Sequence, residues 1–364
     1  MDPELALRPS WIELDLGALA DNFREAQRRA GPGVAVIASV KADGYGHGAA
    51  EVARALERLG AWGFATGAIK DARALRRAGI SKPVLMFGGA APEAIPQLVA
   101  EGFIPTVYDE ATLAAVSGPF WIKVDSGLGR LGVPLDRAEA FILEASGRAG
   151  ATLQGVYTHI PFGDAAGAAW ARERLPLFEA LIARLKARGL AVPMTQARAS
   201  PHLECRIADG LSAVNPGHFL YGMPTTGGYG DVAGMRPTLR AVKSRLIHVQ
   251  RWPQGWTFGS GGKRRLAQGS VTGVIPMGLN EGYRGAVPGE TAEVVVRGRR
   301  APVLGVSLEH CTIDLTGVPG VEVGDEVSVL GDGIAVSELA RWLGQSGGVV
   351  LMNFDGRLPT VAIG

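Results

Sequence analysis

Over the first two thirds of this 364-residue chain, apolar runs of strand length return eight times, at 34–40, 62–66, 83–87, 103–108, 120–125, 153–160, 192–197 and 211–214. Stretches with apolar residues every three or four positions separate them, among them Ala49–Leu59, Ala72–Ala78 and Ala169–Arg188. Runs without alternation read as strands buried on both faces, and the intervening period is helical, so each repeat is a strand–helix unit. Eight such units predict a parallel (β/α)8 barrel, a fold whose chemistry gathers on the loops that follow the strands. From about residue 236 the pattern changes to short strands divided by Gly, Pro and charged turns, at 239–250, 269–276, 291–297, 302–308, 326–330 and 348–353. The expected architecture is therefore α/β: a barrel over 12–235, then a mainly β C-terminal domain over 236–364 that residues 1–11 join.

Polar residues fall where that fold puts its chemistry. Lys41 follows the first run, Arg130 the fifth, His159 closes the sixth, Ser200 follows the seventh and Asn215-Pro-Gly217 the eighth. Each alone has a structural explanation: a strand end meeting water, a loop salt bridge, a packed histidine, a turn serine. Together they outline one site. A lysine at the mouth of a buried strand loses hydration, which lowers its pKa and lets the neutral amine form a Schiff base with an aldehyde. Gly44, Gly46 and Gly48 also follow a strand, but in a dinucleotide fingerprint the third glycine stands one position later.

Charge and cysteine content narrow the partners. The formal net charge is only +2, and the densest basic clusters, 262–265 and 297–300, lack the interleaved aromatics of a nucleic-acid groove, so solvated loops or hairpin ends are expected there. Cys205 and Cys311 have no metal-ligand spacing, which favours a reducing compartment and leaves a single bridge between them open. The first ten residues lack the pattern of a signal peptide and no apolar stretch reaches membrane-spanning length, so a cytoplasmic location without membrane contact is expected.

The segment Val40-Lys-Ala-Asp-Gly-Tyr-Gly-His-Gly48 resembles the cofactor-lysine motif of the alanine racemases, barrel enzymes that use pyridoxal 5'-phosphate. That resemblance implies that Lys41 holds the cofactor as an internal aldimine and serves as base on one face of a small amino acid, and that the Tyr45 hydroxyl reaches the phosphate. Ile122-Lys-Val-Asp-Ser-Gly-Leu-Gly-Arg-Leu-Gly132 is similar to the family segment with an arginine near the substrate, here Arg130, and a lysine that can be carbamylated, here Lys123. His159 matches the histidine that packs on the cofactor ring. Asn215-Pro-Gly-His-Phe-Leu-Tyr-Gly222 resembles the phosphate stretch, which gives the backbone N–H groups of Gly217 and His218 to the phosphate, with the Ser200 hydroxyl beside them. The boundary peptide Met235–His248 also matches, and a homodimer with shared active sites is implied.

The departures from that pattern carry chemistry. Asn215 stands where the family places an arginine opposite the pyridine nitrogen. An amide either donates to a bare nitrogen or accepts from a protonated one, so the ring's state is open, and transamination becomes more plausible than opposite a guanidinium. In Pro276-Met-Gly-Leu-Asn-Glu-Gly-Tyr283 a leucine, Leu279, occupies the position of the family's opposite-face tyrosine base. Racemisation exchanges a proton on each face of Cα, and leucine has none to give. Tyr283 or His310 is the candidate replacement; Cys311 is a weaker one, by analogy with barrel decarboxylases. Leu308-Glu309 replaces a Met-Asp pair, and Gly348 replaces a phosphate-binding tyrosine. The leading expectation is a pyridoxal-phosphate-dependent amino-acid racemase or epimerase. The alternatives are chemistry on one face only, of aldolase, decarboxylase or transaminase type, or a cofactor-binding protein without turnover.

Overall fold

The computed structural model describes residues 7–259, 262, 264–354 and 356–363. Residues 1–6, counted above with the β domain, and Lys263 of the first basic cluster lie outside the described residues. The chain divides into two compact units, one of residues 16–44 and 49–238, the other of 7–15, 45–48 and 239–363.

All eight runs of the first unit are strands. After β1 (Ser10–Asp15) come β2 (Ala35–Ser39), β3 (Gly63–Thr66), β4 (Val84–Met86), β5 (Ile104–Val107), β6 (Gly118–Asp125), a two-residue β7 (Val133–Pro134), β8 (Ala151–Tyr157), β9 (Met194–Gln196) and β10 (Ala213–Val214). Strands β2, β3, β4, β5, β6, β8, β9 and β10 pair in that order, each parallel to the next, and β10 returns to β2, which closes the barrel. Helices 49–58, 69–77, 135–146 and 165–187 follow strands in the way the helical period predicts. Inside the barrel, Ile37, Ala65, Leu85, Ile104, Trp121, Tyr157 and Ala213 form one packed layer. Trp121 fills so much of that space that a Cβ on Gly155 of β8 would lie 2.4 Å from its ring, which is why this strand carries a glycine at its centre.

The second unit is built on a nine-stranded sheet. Its strands are β1 with β11 (Leu239–Arg245), β12 (His248–Trp252), β15 (Ser270–Ile275), β16 (Glu293–Val296), β17 (Arg299–Val306), β18 (Cys311–Asp314), β19 (Glu326–Leu330) and β20 (Thr360–Ile363), with β13 (Trp256–Phe258) and β14 (Arg264–Leu266) as a separate hairpin. The basic cluster 297–300 is a hairpin end: Arg297 and Gly298, both at positive φ, turn β16 into β17, and Arg297 and Arg300 pair with Asp325 and Glu338.

Two expectations for this unit are corrected. The run 239–250 is two strands broken at Leu246 and Ile247. The segment 348–353, read above as a strand, lies in a helix, Gly347–Met352. Its run never alternates, and Val350, Leu351 and Phe354 are buried while Val349 is exposed, a face with helical spacing. Both cysteines are free thiols. Among the described residues no helix is long and apolar enough to cross a membrane.

Candidate active site

The glycine-rich segment after β2 is a left-handed turn. Residues 42–46 all have positive φ, from 49° to 80°, including the non-glycine residues Ala42, Asp43 and Tyr45. Left-handed backbone costs an L-residue roughly 1–2 kcal/mol, so three such residues within four positions persist only where their surroundings hold them. Gly44 N–H donates to Val40 O at 3.0 Å, the Asp43 carboxylate accepts from Ala49 N at 2.8 Å, and the Tyr221 hydroxyl donates to Ser39 O at 3.0 Å. Lys41 enters this turn directly above the strand end. Its side chain keeps an exposed fraction, and its Nζ lies 5.9 Å from the centre of the Phe87 ring. Surrounding protein, and then the positive charge of Arg130, lower its pKa.

Four further groups share that electrostatic environment. Lys123, on β6, is 4% exposed and rests 5.6 Å over the Tyr157 ring, whose hydroxyl bonds Thr106 Oγ1 at 2.9 Å and Phe87 O at 3.4 Å, so the two lysines sit on two linked aromatic rings. Burial, assisted by Arg130 and opposed by Asp125, brings the Lys123 amine down to about 8. His159 is pushed down to about 3 by burial and by Lys123, Arg130 and Lys41, and His218 to about 4 by burial and Lys41. Both imidazoles are thus neutral near pH 7. Asp125 organises the arginine loop: its carboxylate accepts from Gly127 N, Leu128 N and Arg130 N at 2.8, 2.8 and 3.2 Å. The cluster is short of negative charge and suits an anion.

On the neighbouring strand ends, Ser200 Oγ accepts from Gly217 N at 3.0 Å and from Phe219 N at 3.1 Å. Asn215 Nδ2 donates to Ile37 O at 2.7 Å. The barrel therefore brings Lys41, Arg130, His159 and His218 into one electrostatic environment, with Ser200, Asn215, Gly217 and His218 on the last two strand ends. The sequence reading missed Asp125, although an Asp before Ser-Gly is a turn signature, and it missed Phe87, a strand-end aromatic with no sequence signal.

In the other unit, Tyr45 is buried in its turn. Leu279 is 44% exposed and Leu308 71%, and their backbones are joined through Leu279 N to Ser307 O at 3.0 Å and Asn280 N to Leu308 O at 2.8 Å. Tyr283 is a different case. It is 0% exposed, and its hydroxyl has no hydrogen-bond partner among the described residues. Burial, then Cys311, raises its pKa well above 10, whereas a tyrosine base needs the reverse. Cys311 is itself buried, with its thiol pushed up to about 12. The expected base role of Tyr283 thus finds no support in its surroundings. Tyr283→Phe should raise stability by about 1 kcal/mol, because an unpaired buried hydroxyl is removed, and should leave Cα proton exchange unchanged. Denaturant unfolding and exchange rates check both parts, and a loss of exchange would restore the phenol to the mechanism.

Lys123 gives a pH prediction. Its folded pKa of about 8 lies below the ordinary value of 10.5, so below pH 8 both folded and unfolded chains hold the proton and the folded chain bears the full cost, on the order of 3 kcal/mol. That cost is relieved as pH rises from 8 to 10.5. Lys123→Met should flatten stability across this window, as measured by denaturation at successive pH values.

Residues 14–224 match the family described as alanine racemase, N-terminal domain, and residues 239–362 the family described as alanine racemase, C-terminal domain. The chain is 31% identical to an alanine racemase of Desulfovibrio desulfuricans, over 98% of each protein, and 33% identical to one of Syntrophobacter fumaroxidans, over 92% of each. Among solved structures it resembles in fold the alanine racemase of Clostridium difficile, with a TM-score of 0.88 at 23% identity over 98% of this chain and 96% of that one.

Proposed function

Since this chain belongs to the alanine racemase family, we propose that it is a pyridoxal-phosphate-dependent racemase of a small amino acid, in which Lys41 holds the cofactor and serves as the base on one face. The observation that carries this reading is the barrel mouth itself: an amine of lowered pKa amid cationic and neutral basic groups, beside a hydroxyl and backbone N–H groups at the last two strand ends. Those residues fit the cofactor. Bound there, pyridoxal phosphate supplies an electron-withdrawing ring that acidifies the Cα–H of an amino acid.

The chain's own residues do the rest. Lys41 Nζ, its pKa lowered by burial and by Arg130, takes or returns the Cα proton. Arg130, a permanent planar cation whose loop is fixed by Asp125, holds the substrate carboxylate. Ser200, Gly217 and His218 take the phosphate; glycine at 217 lets the backbone approach an anion. The neutral His159 ring would pack against the cofactor ring. We further propose a cytoplasmic homodimer in which the β unit of one copy completes the partner's site.

A second reading, chemistry on one face only, is favoured by Leu279 and by the burial of Tyr283 and Cys311. One experiment separates the readings. The cofactor-loaded protein is incubated with L- and D-amino acids separately in deuterated water, followed by chiral analysis and mass spectrometry. Deuterated product of both configurations supports racemisation. Exchange with retained configuration, or a fragmented product, assigns one-face chemistry, and no exchange assigns a binding protein.

A further inference from the structure

Asn215 is the departure whose consequence the sequence leaves open, and the structure supplies the missing fact. Its strand, β10, pairs in parallel with β2, Ala213 opposite Ala35 and Val214 opposite Val36, so the loop after β10 lies beside the strand that carries Lys41. From that loop the Asn215 side chain turns to β2 and donates Nδ2–H to Ile37 O at 2.7 Å. Ile37 stands four residues before Lys41, deeper in the barrel than the lysine.

A carbonyl oxygen accepts and never donates, so the amide branch facing Ile37 is Nδ2. The reversed amide would set two acceptors against each other. Oδ1 is therefore the branch turned away from β2, and it too can only accept.

On the reading that Lys41 would hold the cofactor by its aldehyde carbon and the last two strand ends its phosphate, the ring nitrogen, para to that carbon, would lie on the far side of the ring from the lysine, and the family resemblance puts position 215 opposite it. Asn215 is a polar side chain that the β10 loop brings beside β2 with its amide N–H already committed. We propose that Asn215 Oδ1 accepts a hydrogen bond from the ring nitrogen of bound pyridoxal phosphate and keeps that nitrogen protonated. A guanidinium at this position has donors only and favours the bare nitrogen. An amide whose N–H is committed to the barrel wall does the opposite, and a protonated ring withdraws electrons more strongly.

The test is nitrogen NMR on holoenzyme reconstituted with pyridoxal phosphate carrying 15N in the ring. The expected resonance is at the pyridinium position, retained in Asn215→Asp, which also only accepts, and moved to the pyridine position in Asn215→Arg. A pyridine-type resonance in the unsubstituted holoenzyme, or a position indifferent to Asn215→Arg, overturns the proposal, and the first needs no variant to fold. Borohydride reduction and peptide mass analysis report on the parent reading separately. Without label on Lys41 both readings fall; label on Lys41 with a bare ring nitrogen removes only the role of Asn215.

Discussion

Lys41→Ala should abolish covalent attachment of pyridoxal phosphate and lower turnover by ~10⁴-fold or more, the upper end of what a positioned acid/base group contributes, because the same amine also holds the cofactor. The protein should still fold. Lys41 keeps an exposed fraction at the barrel mouth, and the left-handed turn beyond it is held by the Asp43 carboxylate and the Val40 carbonyl. Absorbance of the loaded protein, borohydride labelling and circular dichroism read attachment and folding apart. Retained labelling in Lys41→Ala would move the cofactor to another amine, and Lys123, at about 8, is the one the barrel offers.

The barrel was legible because its periodicity is enforced by burial. A strand covered on both faces must be apolar throughout, so each of the eight runs announces itself, and the residues just past the runs inherit the fold's site. Boundaries were less legible: β9 and β10 keep only three and two residues of ladder, although their runs extend further. In the β unit, the helix at 347–352 has a short apolar run that fits either structure, and only tertiary burial of Val350, Leu351 and Phe354 decides between them. Burial likewise altered the reading of Tyr283. A tyrosine four residues past a missing base looks like its substitute until its hydroxyl is seen to be enclosed without a partner. The left-handed turn was hidden for another reason. Glycines at 44 and 46 permit positive φ, but Ala42, Asp43 and Tyr45 disfavour it, and hydrogen bonds across the turn, Gly44 N to Val40 O and Ala49 N to the Asp43 carboxylate, hold it.

Leu279→Tyr should raise the rate of exchange on the second face of Cα by ~10²- to 10⁴-fold, the contribution of one positioned acid/base group. The site tolerates the change because the leucine side chain does not hold its own backbone. Gly278 N donates to Glu281 Oε2 at 2.8 Å, Glu281 is paired with Arg8, and Leu279 N and Asn280 N bond Ser307 O and Leu308 O. With 44% of Leu279 exposed, a phenol needs no new cavity, and stability should stay within about 0.5 kcal/mol. The measurement is the initial rate of deuterium entry from each enantiomer, in the unsubstituted protein and the variant. If the unsubstituted protein is slow from one enantiomer and the variant is fast from both, the leucine is what confines the chemistry to one face. If the unsubstituted protein is already fast from both, a second group acts without any residue at 279. His310 then becomes the residue to replace, because its backbone is bonded to Ser307, the same residue that anchors Leu279, and its side chain is exposed on that corner. Loss of exchange in His310→Ala would assign it the proton that Leu279 cannot carry.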